Sequence, residues 1–491
     1  MSGYNRPMKT IMRSALMPAL VNELVPYGLL SGGNMLLLGV SGGADSVALL
    51  YAMAMLQGSH DFSLTAVHVE HGLRGEASRA DAAYVGSLCK SLHIPLKMYT
   101  VDARAAMAEY ACGAEEAARI LRYSCFHKAM EEVHGAALLT AHHGGDQAET
   151  VLMHILRGSG PAGLSGIAKS KSFAGGLLLR PLLSFSHADL CGALLEEGIS
   201  WREDETNAQP FGLRNQLRLS VMPLLEKLVP GCTRAMGRSA MLSADEEEWW
   251  QQESESYVRD HARLEKEFCF ILRQPLKNLN RAYIRRILRA FYVAAVRKMG
   301  IYTDRGMVSL DFEKTEELVD LILGLGGEVI NLPGEMRCER SGTRVYLLPG
   351  KTLVSSTEVP LLLAGTMSFA SGAIYAKPWY LGMPVGDGIR CQALDKTRLQ
   401  GAVVRYRRPG DIFPLLHDKG TQKLKDTLSA HHVDKPLRNL LPIVTVGETV
   451  LWIPGIGASG AAAIRPETKE GILLSYNGLF PWEIANDKQD K

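Results

Sequence analysis

No two cysteines of this 491-residue chain stand in C-x-x-C spacing. The eight cysteines, Cys89, Cys112, Cys125, Cys191, Cys232, Cys269, Cys338 and Cys391, are scattered. Neither a structural zinc site nor a disulfide framework is therefore expected, and the pattern suits a reducing cytoplasm. No apolar run approaches the roughly 18 residues of a membrane span. The N-terminus shows no long apolar core with a cleavage site, so no membrane association is expected. Charge of one sign is scarce: 54 Lys and Arg nearly balance 52 Asp and Glu, leaving +2. Any nucleic-acid-binding surface must then be local. Internal repeats and low-complexity tracts are missing. What is there is an ordinary globular composition, 46% apolar and 22% charged, in a chain too long for one core. Two to three domains are expected.

A Walker A lysine is missing as well, yet a glycine-rich phosphate loop is present. Ser41-Gly42-Gly43-Ala44-Asp45-Ser46 follows the apolar run Met35 to Val40 and precedes the helical stretch Val47 to Leu56. A strand that turns into a helix N-terminus presents backbone N–H groups and a positive dipole end to an anion. Gly42 and Gly43 let a phosphate approach the main chain, Ser41 and Ser46 add hydroxyls, and the Asp45 carboxylate is a candidate Mg²⁺ ligand. Ser31-Gly32-Gly33 precedes the strand and lacks the Asp-Ser, so it reads as a plain turn.

Up to about residue 215 apolar runs alternate with helical patterns. Strands are expected at 35–40, 64–69, 96–101 and 136–141, and helices at 80–92 and 114–133. Such alternation implies an α/β fold, a mostly parallel sheet with helices on both faces, whose ligands bind beyond the strands' carboxyl ends. Residues 1–215 are expected to form this catalytic domain and 216–340 a mainly helical middle domain. Segment 341–384 reads as a connection with short strands, 385–480 as a small α+β domain and 481–491 as a tail. Ser243 followed by Asp245 to Glu248 reads as a capped helix start. The arginines of 276–298 read as a solvated face, with RNA contact as the alternative.

Further chemistry follows the strands. His68-Val69-Glu70-His71-Gly72-Leu73-Arg74 lacks further ligands for a metal. It reads as a site-lining loop in which His68 meets a base and Arg74 a phosphate. Arg119 and Arg122, three apart on one helix face, have either a carboxylate partner or a reacting phosphate to neutralise. Thr140 to Thr150 places His142, Asp146 and Glu149 at a helix start. The two carboxylates share one side, where they cap the helix, hold Mg²⁺, or grip and deprotonate an amine. Two G-x-G-x-x-G matches, Gly158 to Gly163 and Gly455 to Gly460, lack the strand–helix context of a dinucleotide site. Residues 401–440 hold eight Lys or Arg against four Asp. Arg405, Tyr406, Arg407, Arg408, Lys423 and Lys425 suit either nucleic-acid backbone or a charged surface hairpin.

Taken together, the motifs Ser41–Ser46, His68–Arg74, Ala118–Tyr123, Thr140–Thr150, Arg157–Ile167, Arg180–Leu183, Trp201–Asn207 and Arg214–Arg218 resemble the tRNA(Ile)-lysidine synthetase family of PP-loop ATP pyrophosphatases. The likeness resumes at Arg405–Asp411, Lys423–Asp426 and Trp452–Gly455, while Leu219 to Pro223 departs from the family's pattern, which has a histidine there. The resemblance implies a PP-loop domain of the adenine nucleotide α-hydrolase type that uses ATP and Mg²⁺. It implies ligation of free L-lysine to C2 of the wobble cytidine in a tRNA(Ile) with a CAU anticodon. The route runs through an adenylated base and releases pyrophosphate and AMP. It also implies a homodimer. On this reading Ser41, Gly42, Gly43, Ala44, Asp45, Ser46, His68 and Arg119 bind ATP, and Asp45 also takes the metal. His142, Asp146 and Glu149 bind lysine, with Asp45, Arg119, Asp146 and Glu149 catalytic. Arg74, Arg214, Arg218, Arg405, Arg407, Arg408, Lys423 and Lys425 meet the tRNA. A tRNA sulfur transferase would show paired cysteines near the site, and a small-metabolite ligase would not need the basic C-terminal stretch.

Overall fold

A computed structural model describes residues 10–72, 76–203, 212–301, 309–350, 358–369, 372–416, 420–478 and 480. Two compact units divide the chain, Met1–Trp249 and Trp250–Lys491.

The first unit is built on six strands: β1 (Asn34–Gly39), β2 (Phe62–Glu70), β3 (Leu96–Thr100), β4 (Ala137–Leu139), β5 (Ser170–Phe173) and β6 (Gly176–Leu179). Their order is β3-β2-β1-β4-β6-β5. All neighbours are parallel except the β5–β6 hairpin. The four apolar runs expected to be strands are strands. The helices that position the site are α1 (Ala44–Gln57), α2 (Glu76–Ser91), α3 (Ala114–Val133), α4 (Gly144–Leu156), α5 (His187–Glu196) and the short α6 (Gly212–Gln216), which runs on through a π turn at Leu217–Val221.

Alternation along β1 shows why both faces are covered. Leu36 and Leu38 pack with Val47, Leu50, Leu190 and Leu194 of α1 and α5. Leu37 packs on the opposite face with Val67, Leu138, Phe126 and Met130, the last two from α3. Because β2 and β4 flank β1 on opposite sides, the chain reverses direction across the sheet between β1 and β4. In open parallel sheets that is where ligands bind, and it places Ser41–Ser46 beside His142–Glu149.

In the second unit the middle segment has helices α7 (Arg281–Met299) and α8 (Phe312–Leu323). They pack against a five-stranded sheet, β7 (Ala262–Leu264), β8 (Cys269–Leu272), β9 (Val329–Leu332), β10 (Met336–Ser341) and β11 (Arg344–Pro349). The arginines of α7 are less free than a solvated face implies: Arg281 bonds Glu316 and Asp320, each at 2.8 Å, and Arg285 also pairs with Glu316. Ser243 is not a cap. It lies inside one helix spanning Cys232–His261, where the flanking alanines, glutamates and glutamines favour continuation.

The C-terminal part is rich in strands. One sheet orders β12 (Val359–Pro360), β16 (Val403–Tyr406), β19 (Pro442–Val446), β20 (Thr449–Ile453), β17 (Ile412–Pro414) and β18 (Thr421–Lys423), with β21 (Gly457–Ala458) on β20. The other orders β13 (Gly365–Phe369), β14 (Gly372–Tyr380), β22 (Glu470–Tyr476) and β15 (Cys391–Asp395). Helix α9 (Leu424–Ala430) follows β18. Segment 341–384 is thus more than a connection, because β14 pairs along its length with β22. Asp434 ties this part to β10 and β11, accepting bonds from Ser341 at 3.0 Å, Arg344 at 3.2 Å and Tyr346 at 2.5 Å.

Candidate active site

The loop after β1 is folded around one hydroxyl. Ser46 Oγ accepts the N–H groups of Ser41 and Gly42, both at 3.2 Å, and donates to the Gly43 carbonyl at 2.9 Å. Gly42 has φ +96°, in the region that favours glycine, and an added Cβ would lie 3.3 Å from Val85. The N-cap of α1 is Gly43, which supplies no side-chain cap. The first-turn N–H groups of α1 thus face the loop without a side chain across them. The Arg202 N–H closes the other side of the turn on the Gly42 carbonyl at 3.0 Å.

Asp45, in the first turn of α1, sits between two histidines. His187 Nδ1, at the start of α5, is 2.8 Å from its Oδ1, and His143 Nε2 is 3.8 Å from its Oδ2. The hydrogen bond to the Asp45 carboxylate raises the His187 pKa, against the opposing effect of burial. The three side chains bring ligand atoms within 4.8 Å of one another, a spacing a metal ion could use. The hydrogen bonds argue otherwise for His143. Its Nδ1 accepts the Gly145 N–H at 2.9 Å, so the proton of the neutral ring sits on Nε2, facing Asp45 and Asp146. His143 Nε2 lies 3.8 Å from Asp45 and 3.6 Å from Asp146, an electrostatic contact to both carboxylates. Asp45 offers the oxygen atom of the set, and an Mg²⁺ ion, which binds through one or two carboxylates plus substrate phosphates, would suit it.

The start of α4 is held by a reciprocal cap. The His143 N–H donates to Asp146 Oδ2 at 3.1 Å while its ring takes the Gly145 N–H. Asp146 and Glu149 lie on one side of α4, as their spacing predicts, and two guanidiniums cover them. Arg218 Nε reaches Glu149 Oε1 at 2.6 Å, and Arg214 Nε reaches Oε2 at 3.0 Å. The two terminal nitrogens of these arginines share Asp146 Oδ1 at 2.8 and 3.1 Å. Burial alone would raise the Asp146 pKa, but His143 and Arg214 hold it below the usual carboxylate range. Burial also acts against the Arg218 charge, and the bonds to Glu149 outweigh it and raise its pKa. Arg214 and Arg218, expected on the tRNA backbone, therefore face the acidic pair instead, because helical four-residue spacing aims both at one target.

His142 is pushed down to about 4, chiefly by burial, with the charges of Arg180, Arg214 and Arg122 adding to the effect. It is neutral at pH 7, with Nδ1 3.0 Å from Thr140 Oγ1. Arg122 is lowered first by desolvation in its cleft, then by Arg119 and Arg214. Arg119 is exposed, its guanidinium 5.3 Å from the Tyr123 ring centroid. His68 does not line an open loop. It is buried, and its Nδ1 bonds the Val40 carbonyl at 2.8 Å, so it braces the strand end before the phosphate loop. Its position inside β2 rather than after it turns the ring inward. Arg74 lies outside the described residues, as do 204–207 of the Trp201–Asn207 motif.

In the C-terminal part Arg405 is not a surface contact. Its side chain is 3% exposed and forks onto Asp411, itself 1% exposed, at 2.6 and 3.0 Å. The alternation of β16 points it inward, where Asp411 neutralises it. The pair forms a floor: the Arg408 N–H also donates to Asp411 at 2.6 Å. Above it Arg407, Arg408, Gly410, Lys423, Lys425 and Asn439 line a cavity of about 610 Å³. Arg407 is held by Asn439 at 2.7 Å and Arg408 by Glu358 at 2.5 Å, while Lys423 and Lys425 are exposed.

A family model described as the PP-loop domain matches residues 11–225, and one described as the TilS substrate C-terminal domain matches 402–474. The tRNA(Ile)-lysidine synthase of Symbiobacterium thermophilum is 31% identical over 458 residues, covering 88% of this chain and 92% of that protein. That of Shouchella clausii is 30% identical over 458 residues, covering 89% and 93%. That of Caldanaerobacter subterraneus subsp. tengcongensis is 25% identical over 473 residues, covering 95% and 99%. The chain belongs to the tRNA(Ile)-lysidine synthase family. As a ligase of this family it carries the ATP-binding PP-loop domain on β1–β6. Among the described residues no helix is long and apolar enough to cross a membrane.

Two groups at this synthase-family site escaped sequence reasoning. His143 stands beside the expected His142, and its place directly before Gly144-Gly145-Asp146 marks it as the helix cap. His187 belongs to the cap sequence Ser186-His187-Ala188-Asp189, whose signal announces α5 but not its approach to Asp45, 142 positions away.

Proposed function

We propose that this enzyme joins L-lysine to C2 of the wobble cytidine of a tRNA(Ile) with a CAU anticodon, using ATP and Mg²⁺. The observation that carries the reading is the placement of the phosphate loop, through Asp45, against the His143–Asp146–Glu149 cluster at one sheet edge. An activating site and an amine-handling site then share one cleft. The cytidine O2 attacks the α-phosphorus of ATP, and the bond to pyrophosphate breaks. The lysine ε-nitrogen then attacks C2, and AMP leaves with the former O2. Lysine's amine is protonated at neutral pH, with a reference pKa of about 10.4, so a carboxylate must accept its proton.

Ser41, Gly42, Gly43, Ala44 and Ser46 would cradle the pyrophosphate, and Asp45 would hold Mg²⁺, which supplies neutralisation of phosphate charge when bound. Arg119 would meet the α-phosphate. Asp146 and Glu149 would bind and deprotonate the amine, with neutral His142 as a further hydrogen-bonding partner. Arg407, Arg408, Lys423 and Lys425 would meet tRNA phosphates, held in place by the Arg405–Asp411 floor. The target base must leave the anticodon stack to reach the cleft. The family resemblance adds a homodimer and a cytoplasmic setting to this reading.

The test is incubation with ATP, Mg²⁺, radiolabelled lysine and a CAU-anticodon isoleucine tRNA transcript. Label entering the tRNA with AMP release, and lost when the wobble C becomes U, is the expected result. AMP release without label would overturn the lysine reading and point to another nucleophile.

A further inference from the structure

Every oxygen of the carboxylates assigned to the amine already accepts at least one hydrogen bond. Glu149 Oε1 takes Arg218 Nε, and Oε2 takes Arg214 Nε at 3.0 Å and an Arg218 terminal nitrogen at 2.9 Å. Asp146 Oδ1 takes both arginines, and Oδ2 takes the His143 N–H. Two guanidiniums match two carboxylates, so the cluster carries no net charge to attract a third cation. An incoming ammonium competes with the two arginines for these oxygens. Burial shows which side gives way: the Glu149 side chain is 4% exposed, while those of Arg214 and Arg218 are 25% and 33% exposed. The arginines form the open wall. They lie one helical turn apart on one segment, so a shift of that segment would move both. A guanidinium fork binds phosphate oxygens as well as carboxylate oxygens.

We infer that Arg214 and Arg218 are positioning residues that fill the amine site of the ligand-free protein and release it by transferring to phosphate oxygens. The inference rests on the reading of Asp146 and Glu149 as the amine site. It makes amine binding conditional on phosphate: the nucleotide or the RNA draws the arginines away, and the uncovered carboxylates then take the ammonium. Lysine offered alone meets a neutral, occupied site.

The experiment is calorimetric titration of L-lysine into the full chain. Without other ligands the wild type should bind lysine at least tenfold more weakly than Arg218→Gln, a gain of binding that neither a structural role nor a phosphate-contact role for Arg218 produces. Circular dichroism checks that the variant folds. If it does not, the wild type alone decides, titrated with and without a non-hydrolysable ATP analogue, the CAU tRNA, or both. A tenfold gain with the analogue names the nucleotide as the acceptor of the arginines, and a gain with tRNA alone names the RNA. Equal lysine affinity in the wild type and a folded Arg218→Gln overturns the inference; with an unfolded variant, equal affinity with and without phosphate ligands does so. Adding Glu149→Gln under the condition that binds lysine best separates the two readings. If lysine binding persists there, the amine site lies elsewhere, and the underlying assignment fails. If it is lost while the free wild type already binds fully, only the exchange fails.

Discussion

Arg405 and Asp411 form a two-point ion pair inside the C-terminal part, 2.6 and 3.0 Å long, with both side chains almost fully out of water. Removing one partner leaves a buried charge unmatched, which costs about 3–5 kcal/mol. Arg405→Met and Asp411→Leu should each lower stability by that order in denaturant titration, and the double variant should lose less than either single change. Asp411→Leu should also weaken tRNA binding, because the Arg408 N–H loses its acceptor.

Asp45→Asn keeps the shape of the first turn of α1 but removes its negative charge. Lysidine formation should fall roughly a hundredfold, the scale of one well-placed electrostatic group. Filter binding should show tRNA affinity unchanged.

Gly42→Ala forces a side chain onto a backbone at φ +96° with Val85 close by. A left-handed residue costs about 1–2 kcal/mol. The loop should shift to relieve it, and nucleotide titration should show weaker ATP binding while lysine-independent tRNA binding persists.

Lys423→Ala with Lys425→Ala removes two exposed cations from the rim of the basic cavity. The slope of log K against log salt for tRNA should flatten by about 1 to 2. Single-turnover pyrophosphate release at saturating tRNA should stay near wild type.

His142 has a folded pKa of about 4 against an ordinary value of 6.5. The unfolded chain therefore binds the extra proton first. Stability contributed by the neutral ring is complete above about pH 6.5 and is lost as pH falls toward 4. Thermal unfolding followed across that window should show the loss, and His142→Gln, which keeps a hydrogen-bonding group beside Thr140, should reduce it. Below it, Asp146 adds a second loss as its own depressed pKa is reached.

Much of the first unit was legible in the sequence because buried parallel strands are continuous apolar runs, so β1 and β4 stand out, and because the phosphate loop is contiguous. Asp146 and Glu149 were legible for the same reason: a helix start fixes their side. The assignments that needed tertiary information fared differently. Whether Arg405 faces water depends on the inward alternation of β16 and on Asp411 after a turn. Whether Arg214 meets RNA or carboxylate depends on where α6 returns to α4, 65 positions away. His187 reaches Asp45 only once α5 packs on α1. The strands β7 to β11 were hidden because they are short and lie beside strongly helical segments, whose periodicity dominates a local reading.

The central place of β1 also sets a timetable. Leu37 pairs with Leu138, so the middle strand waits for a partner about a hundred residues downstream, and contacts that far apart form slowly because loop closure precedes any reward. During synthesis β1 and β2 can join early, leaving one side of β1 as a bare, apolar edge until β4 emerges. That edge is a template for unwanted pairing with other chains. The hairpin of β5 and β6 then closes the sheet, its antiparallel outer strand Ser170–Phe173 placing Ser170 and Lys171 where another chain would dock. Slowing translation before β4 has left the ribosome should therefore raise aggregation of the nascent protein, and slowing it after β6 has left should not.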